Sequence, residues 1–523
     1  IESTPPKCKE DVSVPLHKRG GRHSVKNFRP VSLVLVILKE FQRIMYGRLN
    51  GSEPGKKLTG DFNFGSVKGR DRHMLLWLVN ASCLWEMCTG GKGGRMILGA
   101  WDVDNAFPSM WQDGVDWMMW QAGVRGKMWR VLREMEKRLR GTVRINGHFL
   151  DMKVHEDGGN QGSVSAPHRW KYMMGGWFKH CVDKGLGVEV GGEKFPGGGY
   201  VDDATMLAYN AREMALMKKE RDIFGGLWGF SWKIPKDQYM VRGNRKGMIK
   251  DVLEMAKLGM KVQDIVLVLG ESLGWNPDRC PAQCKMVIGR MRSAIRVLEW
   301  AAWKGSVMGA DMLESLFGVM VESIARSHLV HTRLLQSEFD ELDALKAGVG
   351  KKFLGVSKDS SRWGVLSELG WASVSGGIIG AKLGFYGRLR LAEDGGLVQK
   401  WYKIMFRLIE ADLRMEGLGG FLVQSRRLLA QLGLGEYWGE GPFPKKERWK
   451  EIVEDKVRER DIREWKGWRA GKRLKSDWLV AAKEQWGQAD YIQKASRSDR
   501  QLLAAVRLQK TRVGRSEGKE VSI

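Results

Sequence analysis

Leu98-Gly99-Ala100-Trp101-Asp102-Val103-Asp104-Asn105-Ala106-Phe107 is an apolar run that ends on a carboxylate and resumes at an aromatic ring. Met96 through Trp101 read as a short buried strand that delivers Asp102 at its end. About a hundred residues further on, Tyr200-Val201-Asp202-Asp203 places two adjacent carboxylates where a hairpin turns into its second strand, Tyr200–Leu207. Adjacent carboxylates repel, and each raises the other's pKa unless a cation neutralises them. A hard, oxygen-seeking divalent ion such as Mg²⁺ is the natural partner. Three carboxylates from two strand ends suit two ions roughly 4 Å apart, the arrangement used for in-line phosphoryl or nucleotidyl transfer. Each signal alone is weak: an Asp pair is usually a surface turn, and a lone Asp at a strand end is often a helix cap.

Working outward, residues 1–30 are polar, basic and loop-like. Helices are predicted over Leu35–Leu49, Met74–Met87, 110–140, Ala166–Val182 and Ala211–Leu227, and a hairpin around Asn146-Gly147. Asn50–Arg72 and Gly90-Gly91-Lys92-Gly93-Gly94 read as loops. Beyond about 276 the apolar period becomes helical: Val287, Met291, Ile295, Leu298 and Ala302, then Leu313, Leu316, Phe317, Met320 and Ile324. Arg290, Arg292 and Arg296 fall between the first set. The last 80 or so residues are basic and Trp-rich, with Lys445, Lys446, Arg448, Lys472, Arg473 and Lys475 among Trp449, Trp465, Trp468 and Trp478. They read as a solvated helical surface with a few core Trp, or as a platform where cations hold phosphates and rings stack on bases.

The whole chain has 523 residues, too many for one core. Its formal charge of +26 favours a polyanionic partner. No apolar run reaches the roughly 18 residues that span a bilayer; the longest lies near Val31–Leu38, so no membrane partner is expected. Six Cys make no disulfide framework. Cys83/Cys88 and Cys280/Cys284 lack the further ligands of a zinc site and read as buried thiols in a reducing compartment. The chain opens at Ile1 with no signal peptide and no Met, so a segment cut from a longer product is expected. Gly (66), Met (26) and Trp (23) are abundant while Pro (13) and Tyr (9) are scarce, a pattern of G-rich codons.

The ordered motifs resemble the reverse transcriptases of non-LTR, LINE-type retrotransposons. His17-Lys18-Arg19 with Asn27-Phe28-Arg29-Pro30-Val31-Ser32-Leu33 resembles the first fingers motif, and Phe64-Gly65-Ser66-Val67-Lys68-Gly69-Arg70 the next. Asp102 through Phe107 matches Asp-x-x-x-Ala-Phe, and Tyr200 through Asp203 matches Tyr-x-Asp-Asp. Gln161-Gly162-Ser163-Val164-Ser165-Ala166-Pro167 is similar to a Gln-Gly-x-x-x-Ser-Pro loop, with Ala166 in place of Ser. Gly229-Phe230-Ser231-Trp232 with Lys236 resembles the segment after the Asp pair, Leu269-Gly270 the primer grip, and Leu366 through Gly370 a Glu-Leu-Gly segment after the thumb. The resemblance runs from about residue 14 to 400.

It implies an α+β right-hand polymerase: fingers over 1–95, a palm with antiparallel sheet and interleaved fingers elements over 96–275, a helical thumb over 276–400, and the basic helical region 401–523. It implies RNA-directed DNA synthesis from a primer 3′-hydroxyl. Asp102, Asp202, Asp203 and the Val103 carbonyl would hold two Mg²⁺, or Mn²⁺. Lys18, Arg29 and Arg70 would bind triphosphate, Phe107 would exclude a 2′-hydroxyl, Gln161-Gly162 would lie at the nascent base pair, and Lys236 would protonate pyrophosphate. Asp104 ranks below the other carboxylates. Template RNA, DNA primer or target DNA and dNTPs are the implied partners, in the nucleus with a cytoplasmic RNA–protein stage. An inactive remnant that only binds nucleic acid, or a group II intron-type enzyme, are the alternatives. Gly197-Gly198-Gly199 departs from the usual apolar strand and predicts a loose hairpin.

Overall fold

The computed structural model describes residues 9–18, 20–90, 93–150, 153–155, 157–305, 309–412, 414–471, 485–494 and 497–508. Of the sequence readings, Arg19, Gly91, Lys92, Lys472, Arg473, Lys475 and Trp478 lie outside them. The chain divides into one unit of Ile1–Pro277 with Ala392–Arg407, and a second of Asp278–Leu391 with Leu408–Ile523.

The first unit mixes helices and sheets. Strands β1 (Glu10–His17) and β2 (Phe28–Val34) form an antiparallel hairpin in which Leu16 faces Arg29. Helices α1 (Val36–Gly51), α2 (Glu53–Thr59) and α3 (Arg72–Thr89) follow. The expected loop 50–72 thus contains a helix: Ser52 accepts a hydrogen bond from the Gly55 N–H and Pro54 sits in the first turn. After β3 (Arg95–Asp102) come α4 (Gln112–Gln121), α5 (Gly126–Glu136), β4 (Leu139–Ile145) and β5 (His148–Phe149). Asn146 and Gly147 join the last two with φ of 49° and 87°, the left-handed pair that a two-residue hairpin requires. β4 also pairs with β6 (Lys153–His155) and, in parallel, with β1.

Next come α6 (Ser165–Asp183), the small hairpin β7 (Val188–Val190) and β8 (Glu193–Phe195), then β9 (Gly197–Tyr200), β10 (Asp203–Ala208) and α7 (Ala211–Leu227). Asn210 caps α7 by accepting from the Glu213 N–H, and the Glu213 carboxylate accepts from the Tyr209 N–H, which fixes the helix start where the sequence puts it. β11 (Gln238–Gly243), α8 (Met248–Lys257) and the hairpin β12 (Val266–Val268) and β13 (Glu271–Leu273) complete the unit. The central sheet runs β11-β3-β10-β9 and is antiparallel throughout. β3 lies inside it, so Met96, Ile97, Leu98 and Trp101 are all buried, as their continuous apolar run predicts.

The three glycines before Tyr200 form β9 rather than loosening it. A Cβ on Gly198 would stand 2.5 Å from Leu75 Cδ1, one on Gly199 2.9 Å from Phe178 Cε2, and one on Gly197 1.9 Å from the Thr205 carbonyl oxygen. Glycine is there because α3, α6 and β10 crowd this edge. The Phe62–Phe64 segment runs beside the edge: the Phe64 N–H donates to the Gly199 carbonyl, and the Gly199 N–H to the Phe62 carbonyl, both at 2.8 Å.

The second unit is helical among its described residues, apart from an isolated bridge. It holds α9 (Pro281–Gly305), α10 (Ala310–Phe317), a π turn at Gly318–Glu322, α11 (Ser323–His328), α12 (Gln336–Leu354), α13 (Arg362–Leu369) and α14 (Val374–Arg390). α15 (Leu397–Ala411) starts in the first unit, and α16 (Arg414–Leu418), α17 (Phe421–Gln431) and α18 (Lys446–Gly471) follow. Val287, Met291, Leu298, Leu313 and Phe317 pack into its core, whereas Arg290, Arg292 and Arg296 face out. Trp449 and Trp465 are buried, and the Trp449 indole donates to the Leu383 carbonyl. Trp468 packs against the same core as Trp465, so these rings are packing groups rather than an exposed stacking platform.

Candidate active site

Register brings the two acidic motifs together. Asp102, the last residue of β3, pairs directly with Asp203, the first of β10. Directly paired residues project to the same face of a sheet, with Cβ atoms roughly 5 Å apart. Asp202 occupies the turn between β9 and β10, and its carbonyl accepts from the Val103 N–H at 3.3 Å. That turn is strained: Val201, a β-branched residue, has φ of 61°. Two neighbours hold it. The Trp170 indole of α6 donates to the Val201 carbonyl at 2.9 Å, and Gly65 comes so close that a Cβ there would meet the Val201 nitrogen at 2.6 Å. The Phe64-Gly65 motif therefore buttresses the turn that carries the Asp pair.

Below the carboxylates lies a buried polar frame that the sequence did not advertise. Arg221 is fully buried, stacks over Trp101 and Trp232, and pairs with Asp237 at 2.8 Å. The Tyr239 hydroxyl donates to the same carboxylate and accepts from the Trp101 indole. The frame anchors the 3₁₀ turn Ile234–Lys236 next to the β3 end. The Lys233 N–H donates to the Asp102 carbonyl, and the Asp104 N–H to the Ser231 carbonyl, both at 2.8 Å.

Two lysines of this segment reach the acidic cluster. Lys236 Nζ is 2.5 Å from Asp102 Oδ2. Lys233 Nζ lies 3.4 Å from that oxygen, 3.0 Å from the Val103 carbonyl and 3.8 Å from Asp104 Oδ1. Lys236 was predicted from the motif; Lys233, three residues earlier, was not, although a second cation so close to it was a usable signal. Burial pushes the Asp202 carboxyl above its ordinary range, and Asp102 adds to the rise, while Lys233 and Arg29 oppose it. Loss of solvent around Asp203, then repulsion from Asp202 and Asp102, push its carboxyl up to about 7, against the pull of Lys236 and Lys233. Among the described residues, oxygens of the three carboxylates do not all lie within 4.8 Å of one another. An all-oxygen set of two paired carboxylates, a third at the turn and the Val103 carbonyl nearby suits a hard divalent cation.

The other predicted residues fall in three groups. Arg29, exposed on β2, is near enough to favour the charged form of Asp202. Phe107 is half-buried against the core, and its carbonyl accepts from the Gly159 N–H, so it joins the β3 end to the loop before α6. In that loop the Gln161 carbonyl accepts from the Ser32 N–H at 2.6 Å, and a Cβ on Gly162, which has φ of 126°, would meet the Ser32 carbonyl at 2.3 Å. The close approach that requires glycine is thus to β2 of the same chain. The buried Gln161 Oε1 has no hydrogen-bond partner. Lys18 is exposed at the end of β1, where its N–H donates to the Asn27 carbonyl. Arg70 is not presented to the cluster: its guanidinium donates to the Gly60 and Asn63 carbonyls at 2.7 and 3.1 Å and clasps its own loop.

Cys83, Cys88, Cys181, Cys280 and Cys284 are buried, with no zinc ligand set around them among the described residues. No helix among those residues is long and apolar enough to cross a membrane.

No protein-family description and no curated protein matches this sequence. Among solved structures the chain is similar to telomerases. Apo telomerase from Candida tropicalis gives a TM-score of 0.38 at 11% identity, over 87% of this chain and 70% of that one. Telomerase from Candida albicans in complex with a TWJ fragment of telomeric RNA gives 0.37 at 8%, over 73% and 64%. A C-terminally truncated apo form from Candida tropicalis gives 0.35 at 10%, over 52% of this chain and 55% of that chain, so this chain spans little more than half of its length.

Proposed function

We propose that this chain is an RNA-directed DNA polymerase of the non-LTR retrotransposon type, with a right-hand arrangement of fingers, palm and thumb. One observation carries the reading: Asp102 and Asp203, a hundred residues apart, are register partners at one end of a buried antiparallel sheet, with Asp202 in the adjoining turn. Asp102, Asp202, Asp203 and the Val103 carbonyl would hold two Mg²⁺, with Mn²⁺ as a substitute. Such ions activate a primer 3′-hydroxyl and neutralise charge at the leaving pyrophosphate.

The chain's own residues would do the rest. Arg29 places a guanidinium beside the carboxylates, where a triphosphate would bring negative charge. Lys236 carries a proton within reach of the same place and is suited to give it to pyrophosphate. Phe107 offers a half-buried ring five positions past Asp102, as a wall against a 2′-hydroxyl. Gln161-Gly162, held against Ser32 of β2, would lie at the nascent base pair. Lys18, on the end of an exposed hairpin, is an outer contact for phosphate. The net charge of +26 fits template RNA and primer DNA as partners.

Primer extension on an RNA template with Mg²⁺ and dNTPs tests this. The parent chain extends the primer and Asp202→Ala reduces extension at least about a thousandfold. In the same assay Phe107→Ala raises rNTP use. Extension by Asp202→Ala as fast as by the parent, or none by either, contradicts the reading.

A further inference from the structure

Lys233 stands where the proposed chemistry needs a different cation. Its ammonium contacts two oxygens at once, the Val103 carbonyl at 3.0 Å and Asp102 Oδ2 at 3.4 Å, with Asp104 Oδ1 at 3.8 Å. Those first two oxygens are the ones that the proposed function assigns to a divalent ion. An ammonium and a metal ion cannot share them, because both need the same lone pairs and repel each other at such range. The position is built rather than incidental. The Lys233 N–H donates to the Asp102 carbonyl, Val103 and Trp232 form a backbone bridge, and Trp232 is packed between Trp101 and Trp177 with its indole donating to the Arg221 carbonyl. The backbone that carries Lys233 is therefore tied to the strand end it serves, while its side chain remains 30% exposed and has room to swing out. Lys236 differs: it meets Asp102 alone, from a more exposed position.

We propose that Lys233 is an internal counter-cation that holds Asp102 and the Val103 carbonyl until a divalent ion displaces it. The inference rests on the polymerase reading of the site. It assigns Lys233 a positioning role. Its ammonium keeps the anionic cluster paired in the free protein and makes metal entry a competition. Once displaced, the side chain is free to meet the negative charge of a triphosphate, so metal loading is favoured when nucleotide arrives. This couples the two ligands through one flexible side chain.

The test is Mn²⁺ binding to the full chain without nucleotide, read by the electron-paramagnetic signal of the free ion. Lys233→Met tightens Mn²⁺ binding about fivefold, the scale of a half-exposed ion pair. Lys236→Met, which leaves the Lys233 ammonium on both the Val103 carbonyl and Asp102 Oδ2, tightens it less. Lys233→Arg, whose cation is retained, binds like the parent. Circular dichroism and melting of each variant are compared with the parent, and should a Lys233→Met chain not fold, Lys233→Gln replaces it. Added dNTP tightens Mn²⁺ binding more in the parent than in Lys233→Met. Equal Mn²⁺ affinity in parent and Lys233→Met, or weaker binding in the variant, overturns the role of Lys233 and leaves the polymerase reading standing. No Mn²⁺ bound by either chain overturns both.

Discussion

Asp203 shows at the level of one side chain what the site costs the fold. Its carboxyl titrates near 7 in the folded chain, and near 3.9 once unfolded. Between those values the folded state holds the extra proton, so the stability that Asp203 itself contributes is full below about pH 4 and is lost as pH rises through 7. Asp203→Asn removes the charge and with it the repulsion from Asp202 and Asp102. In chelator at pH 8 the variant therefore melts above the parent, and near pH 4 the two converge. Mg²⁺ supplies the missing positive charge to the parent and narrows the difference at pH 8. Melting curves across pH, with and without Mg²⁺, check this; equal melting temperatures at pH 8 in chelator would contradict it. Val201 belongs to the same scale. A β-branched residue at φ of 61° persists because Trp170 and Gly65 over-determine the turn.

At the scale of elements, β9 is the instructive one. Its three glycines look like a defect in the sequence, because glycine has no side chain to pack and loses the most backbone entropy on folding. The reason for them is non-local: Leu75, Phe178 and the Thr205 carbonyl come from three other elements, and nothing near residue 198 in the chain announces them. Gly198→Ala is expected to cost about 1–3 kcal/mol through overpacking against Leu75. Gly226→Ala, in α7 with nothing within 4 Å of the added carbon, is expected to gain up to about 1 kcal/mol from helix propensity. Denaturant unfolding of both distinguishes the packing account from a general intolerance of alanine; a neutral Gly198→Ala would contradict it. Legibility followed the same division. β3, α3, α6, α7 and the Asn146-Gly147 hairpin were readable because apolar period, caps and turn residues are local signals. The pairing of Asp102 with Asp203 was readable only through motif order. Lys233, the Arg221–Asp237–Tyr239 frame and the inward turn of Arg70 were not readable, since each depends on which distant backbone arrives beside it. α2 was missed because the Gly and Lys around it outweighed one Ser-Glu-Pro start.

Across the molecule, the sheet-bearing unit contains every carboxylate of the candidate site, and the second unit is helical in its described residues. The positive charge is an excess of 87 Lys and Arg over 61 Asp and Glu, yet the site itself concentrates negative charge. Such a contrast suits a polyanion attracted by the surface as a whole. The account depends on residues a hundred apart in the chain serving one ion. Fe²⁺ loaded in place of Mg²⁺, with ascorbate and peroxide, cuts the backbone next to wherever it is held. Two cleavage zones are expected in the same chain, one at Asp102–Val103 and one at Asp202–Asp203, both suppressed by excess Mg²⁺ and both lost in Asp102→Asn. Cleavage at only one of these places, or at both with no loss in Asp102→Asn, would contradict a shared ion.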